Sequence, residues 1–291
     1  MRIVIIGTGG RLGAALARDY ATTFDVRAYT RADLDLTDLD RTRELLRPLD
    51  FDLLINSAAL THVDYCEDHR DEAFMINAEA PQVLAELCQE KNAKLIQIST
   101  DYVFDGKSPI PYREEDEVIP LSVYGESKRE GELRVLSASA QYLVVRISWV
   151  FGPDRPSFVD QVIQRARKTN QVAAVADKFS TPTYTLDLAQ WLQTAWKKDL
   201  SGLLHLTNGG ECSWQQYAQY AIDCCHHYGL ALQAKRVEEL KLSDMKNFIA
   251  QRPVYTVLST ASFTRQTGVK PRNWREAVAE YIKTYVIKDE N

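Results

Sequence analysis

Short runs dominated by Val, Ile and Leu recur through the first half of the chain. They alternate with longer stretches whose apolar residues return every three or four positions. The short runs, at 2–6, 26–29, 52–56, 94–98 and 142–147, predict strands, and their continuous apolar character predicts burial on both faces. The stretches 11–22, 38–46, 71–90 and 122–136 predict amphipathic helices between them. Strand–helix–strand alternation at this spacing implies right-handed crossovers, hence an α/β fold with a doubly wound parallel sheet.

Beyond Phe151 the pattern loosens. Residues 158–168 and 185–197 predict helices and 203–206 a short strand. Ser213 and Gln216 have capping-box spacing, opening a helix that runs to about Tyr228. Pro and Gly are scattered, so no linker stands out. Residues 1–150 are expected to form the doubly wound unit. Residues 151–291 are expected to form mainly a smaller α/β substrate-binding lobe packed over it, with segments near 170–200 free to return to the sheet.

Composition narrows the function classes. A net charge of -5 over 291 residues disfavours a general nucleic-acid binder, which needs clustered Lys and Arg. No apolar run approaches the roughly 20 residues that span a bilayer, so no membrane association is expected. Five cysteines without CxxC spacing argue against a disulfide framework and suit a reducing cytoplasm.

The first strand runs straight into Gly7-Thr8-Gly9-Gly10-Arg11-Leu12-Gly13 and then a helix. In that setting Gly7, Gly10 and Gly13 suit a tight turn, close approach of the backbone to a pyrophosphate, and close packing of helix on sheet: a Rossmann dinucleotide site. The second strand ends Tyr29-Thr30-Arg31, where an acidic residue would select NAD. Arg31, with Arg11 in the loop, places guanidinium groups near the expected 2'-phosphate and favours NADPH, because Arg binds phosphate in a two-pronged way. Asp33 and Asp35 close behind keep NADH open.

Tyr124 and Lys128 stand at i and i+4, on one face of a predicted helix. A phenol that donates a proton to a carbonyl oxygen while hydride reaches the carbon would serve reduction, and a neighbouring ammonium would lower its pKa. The fourth strand leads to Ser99-Thr100-Asp101-Tyr102, at the sheet end where ligands of such folds sit. There the Thr100 hydroxyl could polarise the same oxygen.

These motifs, with NSAALTHVDYCE, STDYVFDG, VYGESK, VRISWVFG and the tail RPVYTVLS…TGVKPRNWREAVAEYI, resemble the extended short-chain dehydrogenase/reductases, and among them the dTDP-4-dehydrorhamnose reductase family, over nearly the whole chain. The resemblance implies catalytic roles for Thr100, Tyr124 and Lys128. It implies a cofactor loop at Gly7, Gly10, Arg11, Leu12 and Gly13, and cofactor contacts at Ala58, Ala59, Thr61, Tyr124 and Lys128. It further implies substrate contacts at Thr100, Asp101, Tyr102 and Trp149, a nucleotide-sugar substrate, and a homodimer. Asp64 and Asn77 fall in family motifs without an assigned role.

Two departures stand out. The family's D-Q-x-G-x-P-T stretch reads here Asp177-Lys178-Phe179-Ser180-Thr181-Pro182-Thr183, which puts contacts on the nucleotide-sugar side in question. Ala15 stands where some members carry a magnesium-binding Glu, so no metal is expected. Cys224-Cys225-His226-His227 reads as core helix rather than a zinc site, since only Cys224 and His227 share a face. The acidic run 113–117 reads as a solvated loop or a lid, and Trp191 and Trp196 as core.

The leading expectation is an NADPH-dependent reductase of a nucleotide-linked 4-ketosugar, converting dTDP-4-dehydrorhamnose to dTDP-L-rhamnose. A dehydratase is disfavoured because Tyr102 stands where an elimination Glu would follow Asp101. An epimerase, or a non-catalytic regulatory subunit resembling the methionine adenosyltransferase beta subunit, remains as the alternative.

Overall fold

The structure, a computed structural model, describes residues 1–287; residues 288–291, the end of the expected second lobe, lie outside the described residues. β1 (Arg2–Ile6) leads through α1 (Arg11–Tyr20) to β2 (Asp25–Tyr29) and α2 (Leu39–Leu46). β3 (Leu53–Asn56) is followed by α3 (Val63–Asp68), α4 (Arg70–Phe74) and α5 (Ala80–Glu90). β4 (Lys94–Thr100), α6 (Val123–Ala138) and β5 (Leu143–Ile147) complete this half. The later elements are β6 (Val150–Phe151), α7 (Phe158–Lys168), β7 (Val172–Val175), β8 (Phe179–Ser180), β9 (Thr183–Tyr184), α8 (Thr185–Lys197), β10 (Gly202–His205), β11 (Cys212–Ser213), α9 (Trp214–His227), β12 (Val237–Leu240), α10 (Ala261–Thr267) and α11 (Trp274–Tyr281).

The main sheet has six parallel strands in the order β10-β5-β4-β3-β1-β2. The chain steps from β1 outward to β2 and then returns to β3. The strand direction of travel therefore reverses between β1 and β3, where a doubly wound sheet opens a crevice at its carboxyl edge. Side chains alternate between the two faces. Ile3, Ile5, Leu53, Ile55, Ile96 and Val145 pack on one side with Leu16 of α1 and Leu188 and Trp191 of α8. Val4, Ile6, Leu54, Leu95 and Val144 pack on the other with Leu46, Leu84 and Val135 from α2, α5 and α6. α7, α9 and α11 share a separate aromatic-rich core with Phe151, Tyr184, Tyr217 and Trp274.

Two expectations need correction. β2 is not buried on both faces: Asp25, Arg27 and Ala28 are exposed, because it is the edge strand. The single helix expected over 71–90 is broken by a wide π turn, Met75–Glu79. Pro81 has no N–H to return to the Asn77 carbonyl four residues earlier, so the helical ladder widens there. The Asn77 side chain, buried in that turn, bonds Leu60 N and O at 2.9 and 3.0 Å and Ser127 Oγ at 3.0 Å.

α6 is locked to the sheet by charge. Arg146 of β5 grips Glu132 with two bonds, Nε to Oε1 at 2.8 Å and Nη2 to Oε2 at 2.7 Å, and both side chains are fully buried. Ser99 Oγ donates to Glu132 Oε1 at 2.6 Å and Arg129 to Oε2 at 3.0 Å. Arg146 also lies over the Phe104 ring and reaches the His205 Nε2 at 3.4 Å. The His205 backbone N–H donates to Glu114 at 3.0 Å, which tethers the acidic run 113–117 to the sheet rather than leaving it a free lid. Burial first, then the Arg146 charge, lowers the His205 pKa to about 3.

Removing one partner of a buried pair strands the other charge. Glu132→Leu should therefore lower stability by about 3–5 kcal/mol in urea unfolding, and pairing it with Arg146→Met should recover much of the loss. His205 should make the protein acid-sensitive. Its folded pKa lies below its unfolded value of 6.5, so its contribution is complete above that pH and is lost as pH falls towards 3. Stability should then drop by about 1.4 kcal/mol per pH unit from this group, and His205→Gln should flatten the slope.

Candidate active site

The loop after β1 has glycine where a side chain would collide, at Gly7 and Gly13. Gly7 sits at φ +88, and a Cβ on Gly13 would lie 2.3 Å from the Gly7 carbonyl oxygen and 2.6 Å from Ser57 Oγ. α1 can thus start directly against the turn, its first N–H groups opening onto a cleft of about 450 Å³. Gly7, Gly10, Arg11, Leu12, Gly13, Arg31, Ala58, Ala59 and Thr61 all line this cleft, together with Asp35. A bare glycine cradle at a helix N-terminus, beside an exposed cation, fits the pyrophosphate and phosphate groups of a dinucleotide.

The two arginines stand in different surroundings. Arg11 is held by the backbone of the segment after β5, donating to the Val150 and Arg155 carbonyls at 3.1 Å each and to the Pro156 carbonyl. Arg155 in turn donates to the Gly9 carbonyl at 3.1 Å, and Arg18 pairs with Asp154. Only Arg31 presents its charge openly at the cleft mouth, in loose pairs with Asp35 at 3.3 Å and Glu72 at 3.8 Å.

A second cavity of about 440 Å³ shares Arg11, Leu12, Ser57, Ala59, Thr61 and Val150 with the first, so the two are continuous. Thr100, Asp101, Tyr102, Tyr124, Lys128 and Trp149 all line it. Thr100 ends β4, and Tyr124 and Lys128 stand on successive turns of α6, whose first turn is capped by the Ser122 side chain. Gly125 allows the approach: a Cβ there would lie 2.3 Å from the Tyr102 carbonyl oxygen.

The electrostatics revise one expectation. Burial raises the Tyr124 phenol well above its ordinary range, with a Thr100 hydrogen bond opposing the shift, while the Lys128 amine donates to the Ile98 carbonyl at 2.7 Å. A phenol held neutral is loaded with the proton that an acid must give. Burial lowers Lys128 to about 8, with Glu132 one turn further along working against it.

The cavity also gathers residues that motif reading missed. Ser57, Phe158, Trp214 and Tyr217 complete its wall. Trp214 and Tyr217 lie one turn apart behind the Ser213–Gln216 capping box, the signal that could have found them. The Tyr217 hydroxyl is buried and has no hydrogen-bond partner within the protein, an acceptor-donor waiting for a ligand or water. Asp64 anchors the segment 249–252. It accepts from Arg252 at 2.9 and 2.6 Å and from the backbone of Ile249 and Ala250 at 2.8 and 2.9 Å. Asn77 braces the 58–61 side through Leu60, as described above.

With this geometry in hand, comparison with known proteins is decisive. The family model described as the RmlD substrate binding domain matches residues 1–287. The chain belongs to the RmlD family. It is 37% identical to the dTDP-4-dehydrorhamnose reductase of Mycolicibacterium smegmatis, over 98% of this chain and 86% of that one. It is 36% identical to a probable dTDP-4,6-dihydroxy-2-methyloxan-3-one 4-ketoreductase of Streptomyces antibioticus, over 96% and 94%. The crystal structure of the Bacillus anthracis dTDP-4-dehydrorhamnose reductase in complex with NADP superimposes with a TM-score of 0.91 at 29% identity, covering 97% of this chain and 98% of that one. Within the RmlD frame, the departures at Lys178 and Ser180 are buried beside Asp101. Ala15 is buried in α1, and among the described residues no group of three or more His, Cys, Asp and Glu could hold a metal. No helix of the described residues is long and apolar enough to cross a membrane.

Gly13→Ala should force α1 off the turn. NADPH affinity, read by cofactor fluorescence, should fall at least about ten-fold, with a lower melting temperature.

Proposed function

We propose that the chain is an NADPH-dependent reductase of a nucleotide-linked 4-ketosugar, with dTDP-4-dehydrorhamnose as substrate and dTDP-L-rhamnose as product. The observation that carries this is the continuity of the glycine cleft with a cavity walled by Thr100, Tyr124 and Lys128. Relatives named as dTDP-sugar ketoreductases, one of them bound to NADP, support it.

In this reading residues 1–150 hold the cofactor, through Gly7, Gly10, Leu12, Gly13, Arg31, Ala58, Ala59 and Thr61. Residues 151–291 contribute mainly to the sugar nucleotide. Arg11 serves the cofactor through the loop it secures. NADPH, when bound, supplies the hydride to the keto carbon. Thr100 and Tyr124 donate hydrogen bonds to the keto oxygen, and Tyr124 surrenders its proton as the alcohol forms. Lys128, tethered to Ile98, keeps further N–H donors for the ribose hydroxyls and for the phenolate left behind. Asp101, Tyr102 and Trp149 shape the space for the sugar. A cytoplasmic homodimer completes the reading, and sedimentation would test the assembly.

The deciding assay follows NADPH oxidation with dTDP-4-dehydrorhamnose. One NADPH consumed per product is expected; conversion of the sugar without consumption would instead mark an epimerase. Tyr124→Phe should cut kcat by about 10²–10⁴-fold with NADPH binding nearly intact. A variant retaining most of its activity would remove Tyr124 as proton donor. Arg31→Ala should weaken NADPH by about ten-fold and NADH much less, because only the former carries the 2'-phosphate.

A further inference from the structure

We propose that Lys178 is a positioning residue of the sugar-nucleotide site: its amine, clamped between the rings of Tyr102 and Trp214 and the Pro253 carbonyl, holds the aromatic walls that receive the substrate. This deepens the ketosugar reading and rests on it for the identity of the ligand.

Lys178 is fully buried, yet its ammonium is a compact, strongly hydrated charge. Such a group needs compensation on every side. Its Nζ donates to the Pro253 carbonyl at 2.5 Å and lies 5.0 Å from the Tyr102 ring centre and 6.0 Å from that of Trp214. The Asp101 carboxylate faces it and is itself bound by Thr256 Oγ1 at 2.5 Å, Ser180 Oγ at 3.0 Å and Thr100 Oγ1 at 3.2 Å. Both departures from the family stretch, Lys178 and Ser180, therefore serve one buried cluster.

The cluster joins three segments distant in sequence. Tyr102 follows the catalytic Thr100, Trp214 opens α9, and Pro253 lies in the tail that Asp64 anchors. Tyr102 and Trp214 line the cavity, whereas Lys178 stands behind them. Phe248 carries the arrangement outward, its ring 6.3 Å from Trp214 and under the Arg252 guanidinium at 3.5 Å. A desolvated cation is attracted to the faces of both rings. Losing it would release walls that touch the sugar nucleotide without disturbing the glycine cleft on the far side.

The charges facing Lys178 set a pH window. Burial lowers it to about 8, the Asp101 carboxylate opposes that shift, and Arg252, itself paired with Asp64, adds to it. Tyr102 is pushed by burial far above this range and stays neutral. Below about 8 the amine is charged and draws the rings in; above it the attraction is lost.

The test compares wild type with Lys178→Met, using dTDP-4-dehydrorhamnose at saturating NADPH. The variant should raise KM for the sugar nucleotide by about ten-fold or more, a larger factor than any fall in kcat passed on through Asp101 to Thr100, with the NADPH Kd unaltered. The wild-type KM should climb above pH 8 and lose that limb in the variant. Without any ligand, wild-type tryptophan emission should titrate with a midpoint near pH 8 that Lys178→Met abolishes. An unchanged KM, or KM and NADPH Kd rising together, overturns the proposal. If the variant does not fold, the two wild-type titrations decide, and a flat response in either overturns it. Failure of the wild type to turn over the ketosugar would sink the functional reading instead, leaving the ligand-free titration to judge Lys178.

Discussion

The arrangement of Thr100, Tyr124 and Lys128 depends on one buried ion pair. Glu132 lies one turn beyond Lys128 on α6, and Arg146 of β5 holds it with two short bonds while Ser99, the neighbour of Thr100, adds a third. A helix on a sheet can roll about its axis with little change in apolar burial, because dispersion and hydrophobic contacts have no strong direction. A two-pronged guanidinium–carboxylate contact does have one. It sets the rotation of α6, and with it the direction in which Tyr124 and Lys128 point relative to the end of β4. Desolvating two charges contributes little net stability, so its value here is orientation.

Much of this was legible in the chain. The strands announced themselves because a doubly covered sheet demands unbroken Val and Ile, and the glycine loop because helix and turn collide if any of its key positions carries a side chain. Tyr124 and Lys128 were legible because both sit on one helix, where spacing alone fixes a shared face. The edge position of β2 was not, since five residues with Val, Ala and Tyr read alike at the centre or the rim. Nor was the π turn, whose cause is a proline acting on a carbonyl four residues back together with an Asn that bonds a distant loop.

The far wall of the cavity was hidden for another reason. Trp214 and Tyr217 signal only a helix, and Lys178, marked in the chain as a departure on the nucleotide-sugar side, shows its burial only where Tyr102, Trp214 and Pro253 close around it. Arg11 shows the opposite case. Its place in the glycine loop suggests a phosphate ligand, and three of its N–H donors go to backbone carbonyls of the segment after β5, contacts that no local pattern announces. Local pattern carries information about a residue's own element. It carries little about partners brought in by chain folding from elsewhere.

The clasp between α1 and residues 150–156 has an evolutionary side. Arg11, Arg18 and Arg155 weld the dinucleotide cradle to the stretch that supplies Val150 to the second cavity. α9, which lends Trp214 and Tyr217 to the cavity wall, and the Lys178 and 249–253 segments behind that wall hang on separate attachments. Mutations there can retune which sugar is accepted while the redox apparatus stays aligned. A scaffold divided in this way can diversify among ketosugars without having to reinvent its chemistry each time.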